Sequence, residues 1–125
     1  MNEKIIEICP DFWDWPLAWS EVPRDIEFGK KVVKIMETWV EILINTRSGK
    51  QAVKRHLSNL FWLGGKLIYE VNLDEAHNKN VCDLILEKID VHGELCCRAT
   101  KAELDSFEST SWKFYGYLLA VRSNN

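Results

Sequence analysis

Apolar positions recur at helical spacing over most of the chain. Between residues 24 and 45, Val32, Met36, Trp39 and Leu43 follow one another at three and four residues, with Val33, Val40 and Ile44 beside them. A stripe that broad predicts a largely buried helix. Asn45-Thr46-Arg47-Ser48-Gly49 breaks the pattern as a short turn. Val53, Leu57, Leu60, Gly64, Leu67 and Val71 then predict a second helix over 48–70, opened by Ser48 and Gln51 as a capping box. Val81, Leu84, Ile85 and Ile89 predict a third over 78–90, led in by the polar Asp74 to Lys79 and stopped by Gly93. Leu104, Phe107, Ser111, Phe114, Leu118 and Val121 predict a fourth over 100–122, with Thr100 and Glu103 as a second capping box.

Two stretches depart from that periodicity. Gly64-Gly65 sits inside the second helix, where each glycine costs about 1 kcal/mol relative to alanine. A cost of that kind predicts a bend or another helix crossing closely. The first 22 residues carry Ile5, Ile6 and Ile8, then Phe12-Trp13-Asp14-Trp15-Pro16-Leu17-Ala18-Trp19. Pro10 and Pro16 forbid one continuous helix there. The segment therefore reads as an extended aromatic arm lying on the helices, with a short strand at Lys4 to Cys9. A second extended piece at Glu94 to Arg98 leaves room for one short strand pair. The competing reading makes Trp13, Trp15 and Trp19 an exposed interaction arm, at the expense of a large apolar patch in water. The expectation is an all-α fold, one compact domain of four main helices over 23–125 with the 1–22 arm packed on it.

Length and composition agree. The 125 residues make one ordinary domain, and 46% hydrophobic with 28% charged residues is a globular balance. The apolar runs are too short to span a bilayer, and Glu3, Lys4 and Glu7 leave no signal-peptide core, so a cytoplasmic location and no membrane partner are expected. Cys9, Cys82, Cys96 and Cys97 lack a CxxC spacing and read as buried thiols.

Candidate chemistry is sparse. His77, Cys82, His92, Cys96 and Cys97 are the soft ligands, but His92-x3-Cys96 has no second tight pair, so neither a metal nor another cofactor is expected. No GxSxG elbow or phosphate-cradling glycine loop is present, so no catalytic residue is assigned. His56 lies beside core positions and reads as a boundary residue making one hydrogen bond. Asp83, Glu87 and Asp90 read as a solvated helix face. An enzyme would need a pocket built from distant positions.

Charge is distributed unevenly. Arg47 to Tyr69 holds five basic residues and no acidic one, whereas the remainder holds 11 basic and 19 acidic residues. On a helix from Ser48, Lys50, Gln51, Lys54, Arg55, Asn59, Trp62 and Lys66 form a candidate binding surface. Such a face suits phosphates, with Gln51 or Asn59 reaching a base edge. It also suits a solvated face that docks onto acidic surface elsewhere in the same protein or in a partner, and the few charges and the net charge of -3 put that reading ahead.

Two stretches carry a resemblance. Lys54-Arg55-His56-Leu57-Ser58-Asn59-Leu60-Phe61-Trp62-Leu63-Gly64-Gly65-Lys66-Leu67-Ile68 and Phe107-Glu108-Ser109-Thr110-Ser111-Trp112-Lys113-Phe114-Tyr115-Gly116-Tyr117-Leu118 resemble a group of short bacterial helical proteins of mobile-element, integron-cassette type. Thr110 to Gly116 departs from the group's Thr-Cys-Arg-Lys-Leu-Tyr-Arg, thinning its basic residues. The group has no assigned activity, so the resemblance implies a fold. More distantly, the helix ending Trp39 to Ile44, the Ser-initiated turn and Gln51 to Leu60 resemble the N-terminal core-binding domain of tyrosine recombinases, which clamps DNA. The catalytic domain of that family has no room here. The expected function is a non-enzymatic helical module that binds a protein partner or itself. The alternatives are a DNA-binding accessory protein using the basic helix 48–66, and a small enzyme without a recognisable motif.

Overall fold

The structure is a computed structural model and describes residues 3–46, 49–91 and 100–123. Among these the chain is helical and without strands. The elements are α1 (Glu3–Ile8), a 3₁₀ turn at Phe12–Asp14, α2 (Trp15–Trp19), α3 (Arg24–Asn45), α4 (Lys50–Asp74), α5 (Val81–Val91) and α6 (Lys101–Ser123).

The N-terminal arm is helical rather than extended, which corrects the sequence reading. The two prolines divide it without straightening it: Pro16 occupies the first turn of α2, where its missing N–H has no partner to lose. Lys4 to Cys9, expected as a strand, forms α1 and its closing turn, where the Cys9 N–H donates to the Ile5 carbonyl at 2.7 Å. The proposed strand pair therefore loses one member; the other, Glu94 to Arg98, lies outside the described residues, as do Gly93 and Ser48.

Helix ends follow local chemistry. At the start of α6, the Glu103 N–H donates to Thr100 Oγ1 and the Thr100 N–H donates to Glu103 Oε1, both at 3.1 Å. This reciprocal box is the one expected, and its hydrogen bonds hold the Glu103 carboxyl below its usual range. α5 begins later than expected, because Asn80 Oδ1 accepts the Asp83 N–H at 3.0 Å and caps the helix there. α4 runs on to Asp74 and stops at Glu75, whose φ of 51° is left-handed.

The core joins all these elements. α3 contributes Val32, Met36, Trp39 and Val40, and α4 contributes Val53, Leu57, Leu60, Leu67, Ile68 and Val71. Leu84 and Ile85 of α5 and Phe107, Phe114 and Leu118 of α6 close over them. Ile5, Phe12, Trp15 and Trp19 are equally buried, so the arm is part of the core. α2 crosses both α3 and α4. Gly64 explains how it comes so close: a Cβ there would overlap three carbons of the Trp19 ring. The glycine pair thus marks a close crossing, one of the two expectations for it. No described helix is long and apolar enough to cross a membrane.

Candidate functional site

The outward face of α4 runs between two flanks. On one side Gly64 and Gly65 carry Trp19, whose Nε1 donates to the Phe61 carbonyl at 3.0 Å. On the other, His56 and Asn59 bond to α6. The stripe between them presents Gln51, Arg55, Ser58, Trp62, Tyr69 and Leu73 to solvent, with Lys50 and Lys54 on its margin. Trp62 and Tyr69 are each 56% exposed and Leu73 is 66% exposed. Three large apolar side chains at i, i+7 and i+11 on one face are unusual for a helix whose flanks are already engaged. Of these three, the spacing from Ser48 predicts Trp62 alone. Continuing its seven-residue period through Tyr69 would have found the others.

Asn59 does not belong to this surface, which corrects its assignment as a reader of base edges. Eight residues past Gln51, it is rotated roughly 80° off the stripe towards α6. There it is 8% exposed. Its Nδ2 is bonded to the Ser106 carbonyl at 3.1 Å, Ser106 Oγ at 3.0 Å and Thr110 Oγ1 at 2.8 Å. The Thr110 hydroxyl, accepting from Asn59, is assigned as donor to His56 Nδ1 at 2.8 Å. Burial lowers the His56 pKa, and the nearby positive charges of Lys113 and Arg55 lower it further. Lys113 of α6 thus lies within electrostatic range of His56, a basic neighbour that spacing within α4 could not reveal. Lys66 is half-buried, and Lys50, Gln51, Lys54 and Arg55 remain exposed as expected.

Trp15 and Trp19 do not offer free rings. Both are buried, Trp15 edge-on to Phe12 and Phe61. Trp13 is half-buried and lines a broad cleft of about 460 Å³ with Pro16, Lys30, Val33, Lys34 and Glu37. The aromatic arm is therefore a packing element with one partly accessible ring.

A second polar cluster was not read from the sequence. Asp25 is fully buried, and its Oδ2 accepts from the N–H groups of Glu21 and Val22 at 2.9 and 3.1 Å and from Asn72 Nδ2 at 2.9 Å. Oδ1 faces His77 Nε2 at 3.2 Å. Burial pushes the Asp25 carboxyl up, but these donors outweigh it and hold the pKa at about 2. The ring of Phe28 lies edge-on to His77. A carboxylate that orients an imidazole is also an arrangement for moving protons. Here, though, it ties the α2–α3 link to the end of α4 and the following turn. Only the position of Asp25 at a helix start was visible in the sequence; its partners lie about 50 residues on.

Other reactive groups are subdued. The Cys9 thiol, raised to about 12 by burial and by Asp11, is no nucleophile at neutral pH. Burial, with Asp83 adding, also raises Cys82. No group of three His, Cys, Asp or Glu side chains converges to hold a metal among the described residues; His92, Cys96 and Cys97 lie outside them. Cys82, Tyr117, Lys34 and the Arg122–Asp83 pair border an open cleft of about 530 Å³ between α3, α5 and α6.

No family model matches the chain, and no curated protein or solved structure matches it.

Proposed function

We propose that this protein is a non-enzymatic helical binding module whose docking surface is the outward face of α4, taking a protein partner or a second copy. One observation carries the reading: Trp62, Tyr69 and Leu73 form an aligned apolar stripe in water on a helix packed on both flanks. Burying them against a partner recovers hydrophobic free energy, and Trp and Tyr are the residue types that anchor interfaces. The exposed cations Lys50, Lys54 and Arg55 supply a charged end to the same face.

DNA is the second reading, favoured by those cations together with Lys113 and by the resemblance to a DNA-clamping module. It ranks lower for two reasons. Asn59 is committed to Ser106 and Thr110, and the exposed Glu103, Asp105 and Glu108 of α6 lie within a turn of Ser106, close to where phosphates would have to pass.

The test places a photo-crosslinking residue at position 69 and, as a control, at the exposed position 31 of α3. Adducts of protein mass from position 69 alone, abolished by Leu73→Glu, are expected inside cells. Equal labelling from both positions would sink the docking reading. Titration with random duplex DNA at low and moderate salt checks the alternative: tight, steeply salt-dependent binding that flattens when Lys50, Lys54 and Arg55 are replaced would favour DNA.

A further inference from the structure

The geometry points to the open cleft between α3, α5 and α6 as a binding site for a small organic anion, a monocarboxylate with an apolar body. No residue of α4 borders this cleft, so the inference goes beyond the docking face and does not rest on it.

The cleft holds about 530 Å³, a volume within the range of small-molecule sites, which commonly form between the helices of a bundle. Its walls are braced. The Tyr117 hydroxyl of α6 donates to Thr38 Oγ1 of α3 at 2.7 Å, and the Thr38 hydroxyl donates onward to the Ile35 carbonyl at 2.8 Å. Both hydroxyl protons are thereby committed to joining the two walls, and neither is left for a ligand. Ile35, Leu118 and Val121 give the cleft its apolar surface. Val121 is 36% exposed, so a ligand that covers it recovers hydrophobic free energy.

The free donors are on exposed side chains around that surface. Lys34 has no hydrogen bond or ion pair among the described residues. Asn80 spends its Oδ1 on the Asp83 N–H at 3.0 Å, which leaves its Nδ2 without a partner there. Arg122 meets Asp83 through Nη1 at 3.4 Å, longer than a firm charge-assisted bond, and both side chains are more than half exposed. Most of the guanidinium N–H groups therefore stay open to an incoming carboxylate.

Charge decides the class of ligand. Among the described residues, Lys34 and Arg122 are the cations bordering the cleft and Asp83 the carboxylate, so one positive charge is unmatched. Burial and Asp83 raise the Cys82 thiol, so Cys82 stays neutral and adds no second anion. One carboxylate on the ligand matches the excess, while its apolar body lies over Ile35 and Val121.

Heteronuclear NMR titration of the full chain with phenylpropionate and with octanoate tests this. Each should bind saturably with Kd on the order of 0.1–1 mM, the strength expected of about ten heavy atoms. The Asn80 side-chain amide, Thr38 and Val121 signals should shift. Those of Leu73 should not, nor should that of the Trp13 indole, which lines a separate cleft that Lys34 also borders. The neutral amide of phenylpropionate should bind about tenfold more weakly or worse. Lys34→Gln combined with Arg122→Gln should cost about tenfold, and Val121→Trp, which fills the cleft and keeps both charges, should cost as much. Leu73→Glu, on the α4 face, should change nothing. All the replaced side chains are exposed, so the core is left intact, and circular dichroism of each variant verifies folding. Absence of saturable shifts up to about 10 mM overturns the inference. So do equal binding of the amide, indifference to the double replacement, or shifts gathered on Trp62 and Tyr69 or on Trp13 instead of the cleft.

Discussion

The six-membered ring of Trp19 occupies the space above Gly64 where any other residue would place its Cβ. The neighbouring Gly65 is in a different position: a Cβ there would meet Trp19 at 3.4 and 3.6 Å, which is ordinary contact. Two adjacent glycines in one helix therefore have different reasons to be small. Gly64→Ala should destabilise the fold by about 1–3 kcal/mol through overpacking, despite alanine's better helix propensity. Gly65→Ala should stabilise it by about 0.5–1 kcal/mol. Urea unfolding followed by tryptophan fluorescence distinguishes the two, and equal effects would mean that the crossing is misplaced.

Asp25 makes stability depend on pH at the acid end. Its folded pKa, held at about 2, lies below the ordinary 3.8, so its contribution is fully present above about pH 4. That contribution is lost as pH falls from 4 towards 2, and amounts to about 2.5 kcal/mol at neutral pH. Asp25→Asn should remove this acid-limb slope and cost about 2–4 kcal/mol, because buried donors lose a charged acceptor. Chemical denaturation at a series of pH values reads both effects.

His56 acts nearer neutrality and for a different reason. Its folded pKa is below the ordinary 6.5 because burial, then Lys113 and Arg55, disfavour the charged ring. The unfolded chain therefore takes up this proton first as pH falls. Stability begins to drop below about pH 6.5 and continues down until the folded imidazole also protonates. His56→Gln should flatten that portion of the curve, and an NMR titration of the ring should place its midpoint below 6.5.

Glu75 holds φ at 51° with a side chain that gains nothing local from it. Glu75→Gly should raise stability by about 0.5–1 kcal/mol, since glycine adopts the left-handed region at no steric cost. Urea unfolding of the parent chain and the variant checks the gain.

Periodicity of apolar residues was enough to read the all-α class and the four long helices, because α3, α4, α5 and α6 each bury one face. It failed for residues 1–22: Pro10 and Pro16 exclude a long helix but are silent on short ones, and Pro16 is well suited to a first turn. The Thr100–Glu103 box was legible because both partners lie in one turn. Asp25, His77 and Asn72 were not, since about 50 residues separate the carboxylate from its two partners. Within the candidate surface, Lys50, Gln51, Lys54, Arg55 and Trp62 were placed by spacing, and Asn59 was misplaced because an angular drift of roughly 80° over two turns moved it from solvent to a seam.

That seam has a consequence for how α6 sits. A purely apolar seam between α4 and α6 would tolerate sliding by one turn, about 5.4 Å, with modest repacking. The chain of hydrogen bonds from Ser106 through Asn59 and Thr110 to His56 does not, since such a slip strands several buried polar groups at about 1–3 kcal/mol each. The polar residues thus act as a key that fixes the register of the last helix, and with it the distance of the Lys113 charge from His56.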